Sequence, residues 1–289
     1  MRRWRDAAGW AARLASQRPE LWLPGALAWT VSVGWIPFVV AVARPPSVAE
    51  LTFLGARIVT SGAWPWNAVA IGVGFVAVVL LAFAVTAAAN AVLIALLARR
   101  PPSLADVRRV LAVSLVAALP AAIASLVVLI ALVGIAPREF NAPEPAGGPV
   151  LRTMVRLTPY LLLLGLAVAA GAALAAVAGR LAVDRRWSVD RALRSAPRVN
   201  ARPANAAHAI LGFVAQLAYL ALSALLLRVL WAPIGVQLEV AGEIDVATGL
   251  LLVGFVAIWL CLVLAGGALQ AWSAATWSRL LATDASGGT

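Results

Sequence analysis

Six long stretches without a charged residue constrain this chain more than any other feature of its sequence. A helix of about 20 apolar residues crosses the hydrocarbon core of a bilayer, and each stretch is at least about that long. Backbone polar groups in lipid must be satisfied within the segment, and continuous apolar runs differ from the alternating strands of membrane barrels. We therefore predict an all-α polytopic integral membrane protein with six transmembrane helices. The spans are expected near residues 21–43, 64–98, 110–136, 157–179, 209–227 and 246–278.

The composition agrees with this class. Hydrophobic residues make up 63% of the 289 residues and charged residues only 12%, whereas a typical soluble domain is about 25% charged. A water-soluble globule of this size would have too few charges to cover its surface, so soluble and disordered proteins are excluded. The predicted organisation is a cytoplasmic amphipathic helix (1–20), a six-helix membrane domain (21–278) and a cytoplasmic tail (279–289).

The arginines predict the orientation. All basic residues are Arg, and 17 of the 23 lie in segments 1–20, 99–109, 180–208 and 279–289, on one side of the membrane. The positive-inside rule places both termini in the cytoplasm. The net charge of +11 is therefore a topology signal and gives no reason to expect nucleic acid. A composition rich in Ala and Arg is typical of GC-rich bacterial genomes, so we expect a multi-pass protein of the bacterial plasma (inner) membrane.

Residues 3–18 have the pattern of an amphipathic helix. One arc is apolar, and the opposite arc carries arginines. This pattern predicts a surface helix at the level of the lipid headgroups; a docking helix for another protein is the alternative. The apolar arc consists of Trp4, Ala7, Ala8, Trp10, Ala11, Leu14 and Ala15.

The segment 180–208 is the most distinctive of the basic segments. Ser188 can cap a short helix that runs through Leu193 and ends before Pro197. The guanidinium groups that follow could bind phosphates of anionic lipid headgroups or a protein partner, although charge retention on the cytoplasmic side needs no ligand. These candidate residues are Arg191, Arg194, Arg198 and Arg202.

A short run in this segment carries a resemblance. Ala192, Leu193, Arg194 and Ser195 follow the fourth span, and the chain resembles poorly characterised bacterial six-helix integral membrane proteins. These include the membrane domain fused to some glycerophosphodiester phosphodiesterases. The resemblance implies six helices and a membrane location. It implies no reaction, because the sequence contains no phosphodiesterase catalytic domain.

Residues that could support catalysis are scarce. None of the predicted spans contains Asp, Glu, Arg or His, which argues against a proton-coupled pump. His208 and Cys261 are the only residues of their types. We predict a packing role for His208 at a span boundary and a buried position for Cys261. No catalytic or metal-binding pattern is present, so we expect no enzyme activity, metal or cofactor.

Two sets of span residues are expected to act between helices. The amides of Asn90, Gln216 and Gln270 can hydrogen-bond between helices or line the path of a solute. Small residues spaced by four let helices approach closely. Ala167, Gly171, Ala175 and Gly179 therefore predict an interhelical seam on the fourth span.

These features favour a non-catalytic membrane protein, a scaffold or accessory subunit of a membrane assembly. Its expected partners are anionic headgroups on the cytoplasmic face and a membrane protein or second copy of the chain. The alternative is a permease or exporter component for a lipidic or amphiphilic solute. A lipid-open cavity lined by the amides would favour transport, and a tightly packed bundle would favour a scaffold. An enzyme acting on lipids would need His208 close to Asp184 or Asp190.

Overall fold

The computed structural model describes residues 2–44, 50, 53, 57, 60–140, 148–241 and 245–286, and helices dominate this part of the chain. No strand occurs among the described residues. A 3₁₀ turn, Pro19–Leu21, separates the first two helices. A π-helical turn, Thr30–Gly34, interrupts the first segment that could span a membrane. In chain order the helices are α1 (Arg2–Gln17), α2 (Trp22–Trp29), α3 (Trp35–Val42), α4 (Trp66–Leu97), α5 (Leu104–Phe140), α6 (Pro149–Asp184), α7 (Val189–Asn200), α8 (Pro203–Ala241) and α9 (Val246–Ser286).

Six segments are long and apolar enough to cross a membrane, which confirms the predicted all-α fold with six such helices. Several of the helices continue well beyond the predicted spans, because the uncharged runs mark only the lipid-facing part of each helix. The six segments are Pro19–Val42, Val69–Leu97, Leu104–Glu139, Val150–Asp184, Pro203–Glu239 and Val246–Thr283.

The hairpin of α5 and α6 shows how much of α6 fits a bilayer. At one end, buried Glu139 pairs with Arg152 (3.0 Å) and Arg156 (2.8 Å). At the other end, Gly171 lies against the carbonyl of Ala117 on α5. Arg152 and Gly171 are about 28 Å apart at 1.5 Å per residue, close to the thickness of the hydrocarbon core. The part of α6 between these two contacts is therefore long enough to cross a bilayer.

The best-packed core lies at the end of the bundle that carries both termini. We call this part the basic end; it consists of α1, α7 and residues 104–117, 174–184 and 270–286 of the long helices. Val177, Leu181, Ala192 and Ala196 belong to one buried cluster there. Residues 279–286, predicted as part of a tail, continue α9, and Leu280 and Leu281 of this stretch join the same cluster.

The opposite part of the bundle is open. Helices α5 and α6 are paired closely, while α2, α3, α8 and α9 form a second group, and α6 and α8 make almost no direct contact. Many apolar side chains in this region are exposed, meaning that no other part of the chain covers them. Cys261 is one of the exposed residues, so the prediction of a position buried in the protein is wrong. Lipid chains can solvate such a face, so an apolar residue there needs no protein neighbour.

Helices α2 and α9 cross at two glycines. A methyl group on Gly25 would overlap the carbonyl oxygen of Gly267, and one on Gly267 would lie 2.6 Å from the amide nitrogen of Ala26. Only residues without a side chain allow this separation. The crossing fixes α2 against α9 at the border of the basic end.

Candidate functional site

The apolar face of α1 rests on the bundle. Three buried alanines, Ala7, Ala11 and Ala15, form its inner stripe, and two indole hydrogen bonds fasten the helix at separate points. Trp272 Nε1 donates to the carbonyl of Ala8 (3.1 Å), and Trp22 Nε1 donates to the carbonyl of Ala15 (2.8 Å). The amphipathic helix is present as predicted, but α9 covers much of the face that the sequence assigned to lipid.

His208 connects α1, α8 and α9. Its side chain is fully buried; Nδ1 lies 3.4 Å from Nε1 of Trp4, and Nε2 lies 3.2 Å from the carbonyl oxygen of Ser273. The indole can only donate and the carbonyl can only accept, so these contacts favour the neutral tautomer with its proton on Nε2. Edge contacts with Trp272 and Trp277 enclose the ring.

The surroundings of His208 bear on the alternative that the protein is an enzyme acting on lipids. Among the described residues, no carboxylate forms a hydrogen bond or ion pair with His208, and no group of three metal-ligating side chains occurs. Asp190 is on the exposed side of α7 and pairs with Arg194 at 2.8 Å. In the described part of the chain, no hydrogen bond joins His208 to Asp184 or Asp190.

A cleft of about 140 Å³ opens beside His208, between α6, α8 and α9. One wall consists of alanines of α6, and Gly212 and Phe213 of α8 face it. Gln216, Gln270 and Ser273 supply the polar part of the lining. The cleft lies where α6 and α8 separate.

The three predicted amides have different surroundings. Gln216 and Gln270 meet in the cleft, whereas Asn90 on α4 does not line it. Nε2 of Gln270 lies 3.5 Å from Oδ1 of Asn90, a long interhelical hydrogen bond. Gln216 makes no hydrogen bond to the part of the chain that the structure describes.

The small residues of α6 divide between two surfaces. In the predicted seam, Gly171 meets α5 at Ala117, Gly179 is buried, and Ala167 and Ala175 are half-buried. A neighbouring set, Ala169, Ala172, Ala173 and Ala176, forms the wall of the cleft. The sequence did not separate this wall from the seam, because alanine occurs throughout the helix.

Helix α7 begins as predicted and ends later. Oγ of Ser188 accepts a hydrogen bond from the backbone N–H of Arg191 at 3.3 Å, which confirms the cap. The predicted end before Pro197 is wrong, because the helix continues through Pro197 to Asn200. A proline removes one backbone hydrogen bond, and burial of Ala192 and Ala196 against the bundle can offset that loss.

The four predicted arginines are all exposed, but they lie at different heights. The side chain of Asn200 donates to the carbonyl of Ala173 on α6 at 3.1 Å. Since α7 starts just after α6 ends, this bond makes α7 antiparallel to the last turns of α6. Arg191 and Arg202 are consequently about 16 Å apart along the hairpin, with Arg202 nearer the apolar part of α6.

Arg180 is a buried residue that sequence reasoning missed. It is only 6% exposed and donates to the carbonyls of Ala176 (3.0 Å) and Ala274 (2.9 Å) and to Oγ of Ser278 (3.3 Å). It thereby joins α6 to α9 and lines a second cavity of about 170 Å³. The predicted span ended one residue earlier, at Gly179, and no feature of the sequence distinguished Arg180 from its exposed neighbours.

The candidate site thus combines a cleft without charged side chains and helix α1, which is hydrogen-bonded to the bundle. Its third part is the arginine row on and just after α7, which consists of Arg191, Arg194, Arg198 and Arg202. Comparisons of the chain with protein-family models, curated proteins and solved structures find no match.

Proposed function

We propose that this membrane protein binds an amphiphilic or lipidic solute in the cleft between α6, α8 and α9, as a permease or exporter component. The observation that carries the proposal is Gln216, whose amide lines the cleft without a hydrogen-bond partner among the described residues. An amide in an apolar setting is costly unless it is paired. A solute with a polar head and an apolar tail would pair it.

The proposed setting is the bacterial plasma membrane, with the basic end in the cytoplasm. The distribution of arginine supports this orientation through the positive-inside rule. A solute entering from the cytoplasmic leaflet would reach the cleft sideways, between α6 and α8, at the border of the basic end.

Photo-crosslinking in lipid nanodiscs tests the proposal. The full chain is reconstituted with lipids that carry a diazirine in one acyl chain, and the labelled peptides are identified by mass spectrometry. We expect labelling of residues 208–216 and 269–277. Gly212→Trp should abolish it, because the side chain at this position enters the cleft, where the nearest neighbour of a new Cβ is His208 Cε1 at 3.8 Å.

The matched control is Gly165→Trp on the exposed face of α6, where a new Cβ meets nothing within 4 Å. This variant should keep the labelling of the cleft. Labelling that is uniform over the lipid-facing surface, or equally strong in Gly212→Trp, would contradict the proposal. Transfer of a fluorescent short-chain lipid between the leaflets of proteoliposomes then measures transport itself.

A scaffold or accessory subunit is the second candidate function. It is supported by the exposed arginine row of α7, of which Arg191 is farthest from the bilayer and can be reached by a protein in the aqueous phase. Cross-linking in native membranes followed by purification tests this role. A stoichiometric partner that is lost on replacing Arg191 and Arg194 by Gln would favour the scaffold.

A further inference from the structure

We infer that the cleft takes an uncharged amphiphile, whose head carries hydroxyl or carbonyl groups, in preference to an anionic phospholipid. This inference rests on the proposed function and specifies its solute class.

The first argument is that no charged side chain lines the cleft. No acidic or basic side chain lines it among the described residues, and the contacts of His208 favour its neutral form. The buried guanidinium of Arg180 lines the other cavity and is directed to carbonyls and to Ser278. An anionic headgroup would lose its hydration here without gaining a cation, which is strongly unfavourable in a low-dielectric setting.

The second argument is the hydrogen-bonding capacity of the lining. The amide of Gln216 offers two N–H donors and one carbonyl acceptor, and within the described residues all three lack partners. The carbonyl oxygen of Gln270 is also without a partner there, because its hydrogen bond to Asn90 uses Nε2. A hydroxyl group both donates and accepts, and an ester carbonyl accepts, so a neutral head can satisfy these groups.

The third argument is size. A cavity of this order, about 140 Å³, accepts a group as large as benzene. The cleft can therefore hold a glycerol-sized head. The apolar tail must leave through the gap between α6 and α8, past Phe213 and the alanine wall.

Paired photoactivatable lipids test the inference. The full chain is reconstituted in phosphatidylcholine nanodiscs with either a diacylglycerol or a phosphatidic acid, both carrying the same diazirine-labelled chains. We expect diacylglycerol to label residues 208–216 and 269–277 preferentially. Gln216→Leu should lower this labelling by about tenfold, as expected for the loss of buried hydrogen bonds, without changing the weak labelling by phosphatidic acid.

Two further variants keep the result interpretable. Gln237→Leu removes an amide near the far end of α8, away from the cleft, that already accepts a hydrogen bond from Oγ1 of Thr248 at 2.7 Å; it controls for the loss of an α8–α9 contact and should leave cleft labelling unchanged. Gln216→Asn keeps an amide and should retain more labelling than Gln216→Leu, which separates recognition from a folding defect. Equal elution of all variants in size-exclusion chromatography checks that they are folded.

The outcomes distinguish this inference from the proposed function. Equal labelling by both lipids, or preference for phosphatidic acid, would overturn the neutral solute class; if Gly212→Trp still abolishes the labelling, the proposed cleft function stands. Unchanged diacylglycerol labelling in Gln216→Leu would also overturn the inference. Absence of cleft labelling with either lipid would overturn both proposals.

Discussion

The indole nitrogen of Trp4 lies 3.4 Å from Nδ1 of His208 and donates a hydrogen bond to it. This contact joins the first helix of the chain to the start of α8, more than two hundred residues later. Because His208 also bonds to Ser273 and borders the cleft, the position of α1 is tied to the geometry of the candidate site.

Replacing Trp4 by Phe should loosen α1. The aromatic ring is kept, but Nδ1 of His208 loses its donor, at an expected cost of about 1 kcal/mol. Hydrogen–deuterium exchange of residues 2–17 in the reconstituted chain should accelerate by about fivefold. Trp10→Phe is the control, because the Trp10 ring contacts the Arg279 guanidinium by its face. Equal exchange in both variants would show that the Trp4 bond does not hold α1.

Replacing Gly25 by Ala should destabilise the bundle. The added methyl group would overlap the backbone of α9 at Gly267, and overpacking of this kind typically costs about 1–3 kcal/mol. Thermal unfolding in detergent should therefore begin at a lower temperature than in the unmodified chain. Gly254→Ala is the control, since a methyl group there enters open space. An unfolding temperature equal to that of the control would argue against the close crossing.

The exposed arginines on and just after α7 should differ in their effect on lipids. Replacing Arg198 and Arg202 by Gln should weaken the association of phosphatidylglycerol by about tenfold or more, at about 1 kcal/mol for each cation near the surface. Replacing Arg191 and Arg194 should cost less than about threefold, because on average this pair lies about 11 Å farther from the bilayer, a distance comparable to the Debye length. Spin-labelled lipid in reconstituted membranes provides the measurement. Equal losses in the two double variants would contradict a bilayer position in which Arg198 and Arg202 lie closer to the lipid headgroups than Arg191 and Arg194.

The predicted topology can be tested by cysteine labelling. In a Cys261→Ser background, Ala201→Cys should react with a membrane-impermeant maleimide only from the cytoplasmic side. Pro145→Cys, which lies outside the described residues, should react only from the outside. The opposite pattern would refute the orientation derived from the arginines, while leaving the helical fold intact.

The sequence alone was sufficient for the fold class and for local signals. Hydropathy is a sum over neighbouring residues, so six spans could be recognised without knowledge of their partners. Capping depends on a few adjacent residues, which explains why Ser188 was recognised at the start of α7. The resemblance to bacterial six-helix membrane proteins stays a prediction.

Predicting where α7 ends would have required information from elsewhere in the chain. Proline disfavours helix locally, but burial of Ala192 and Ala196 depends on α6 and other parts of the bundle. The same limit applied to α1, whose amphipathic pattern is compatible with contact to lipid or to protein. In the structure, Trp272 provides a partner for the Ala8 carbonyl and fastens the helix to α9.

The candidate site shows the same division most clearly. The sequence by itself determined the six apolar helices, the concentration of arginine in a few segments and the scarcity of titratable groups, because these are properties of composition and order. Only the tertiary structure decided that Gln216 and Gln270 share a cleft while Asn90 lies outside it. It also decided that Arg180 is buried and that α6 and α8 separate. The physical reason is that these relationships depend on the distance between helices, which is set by side-chain shape at crossings such as Gly25–Gly267.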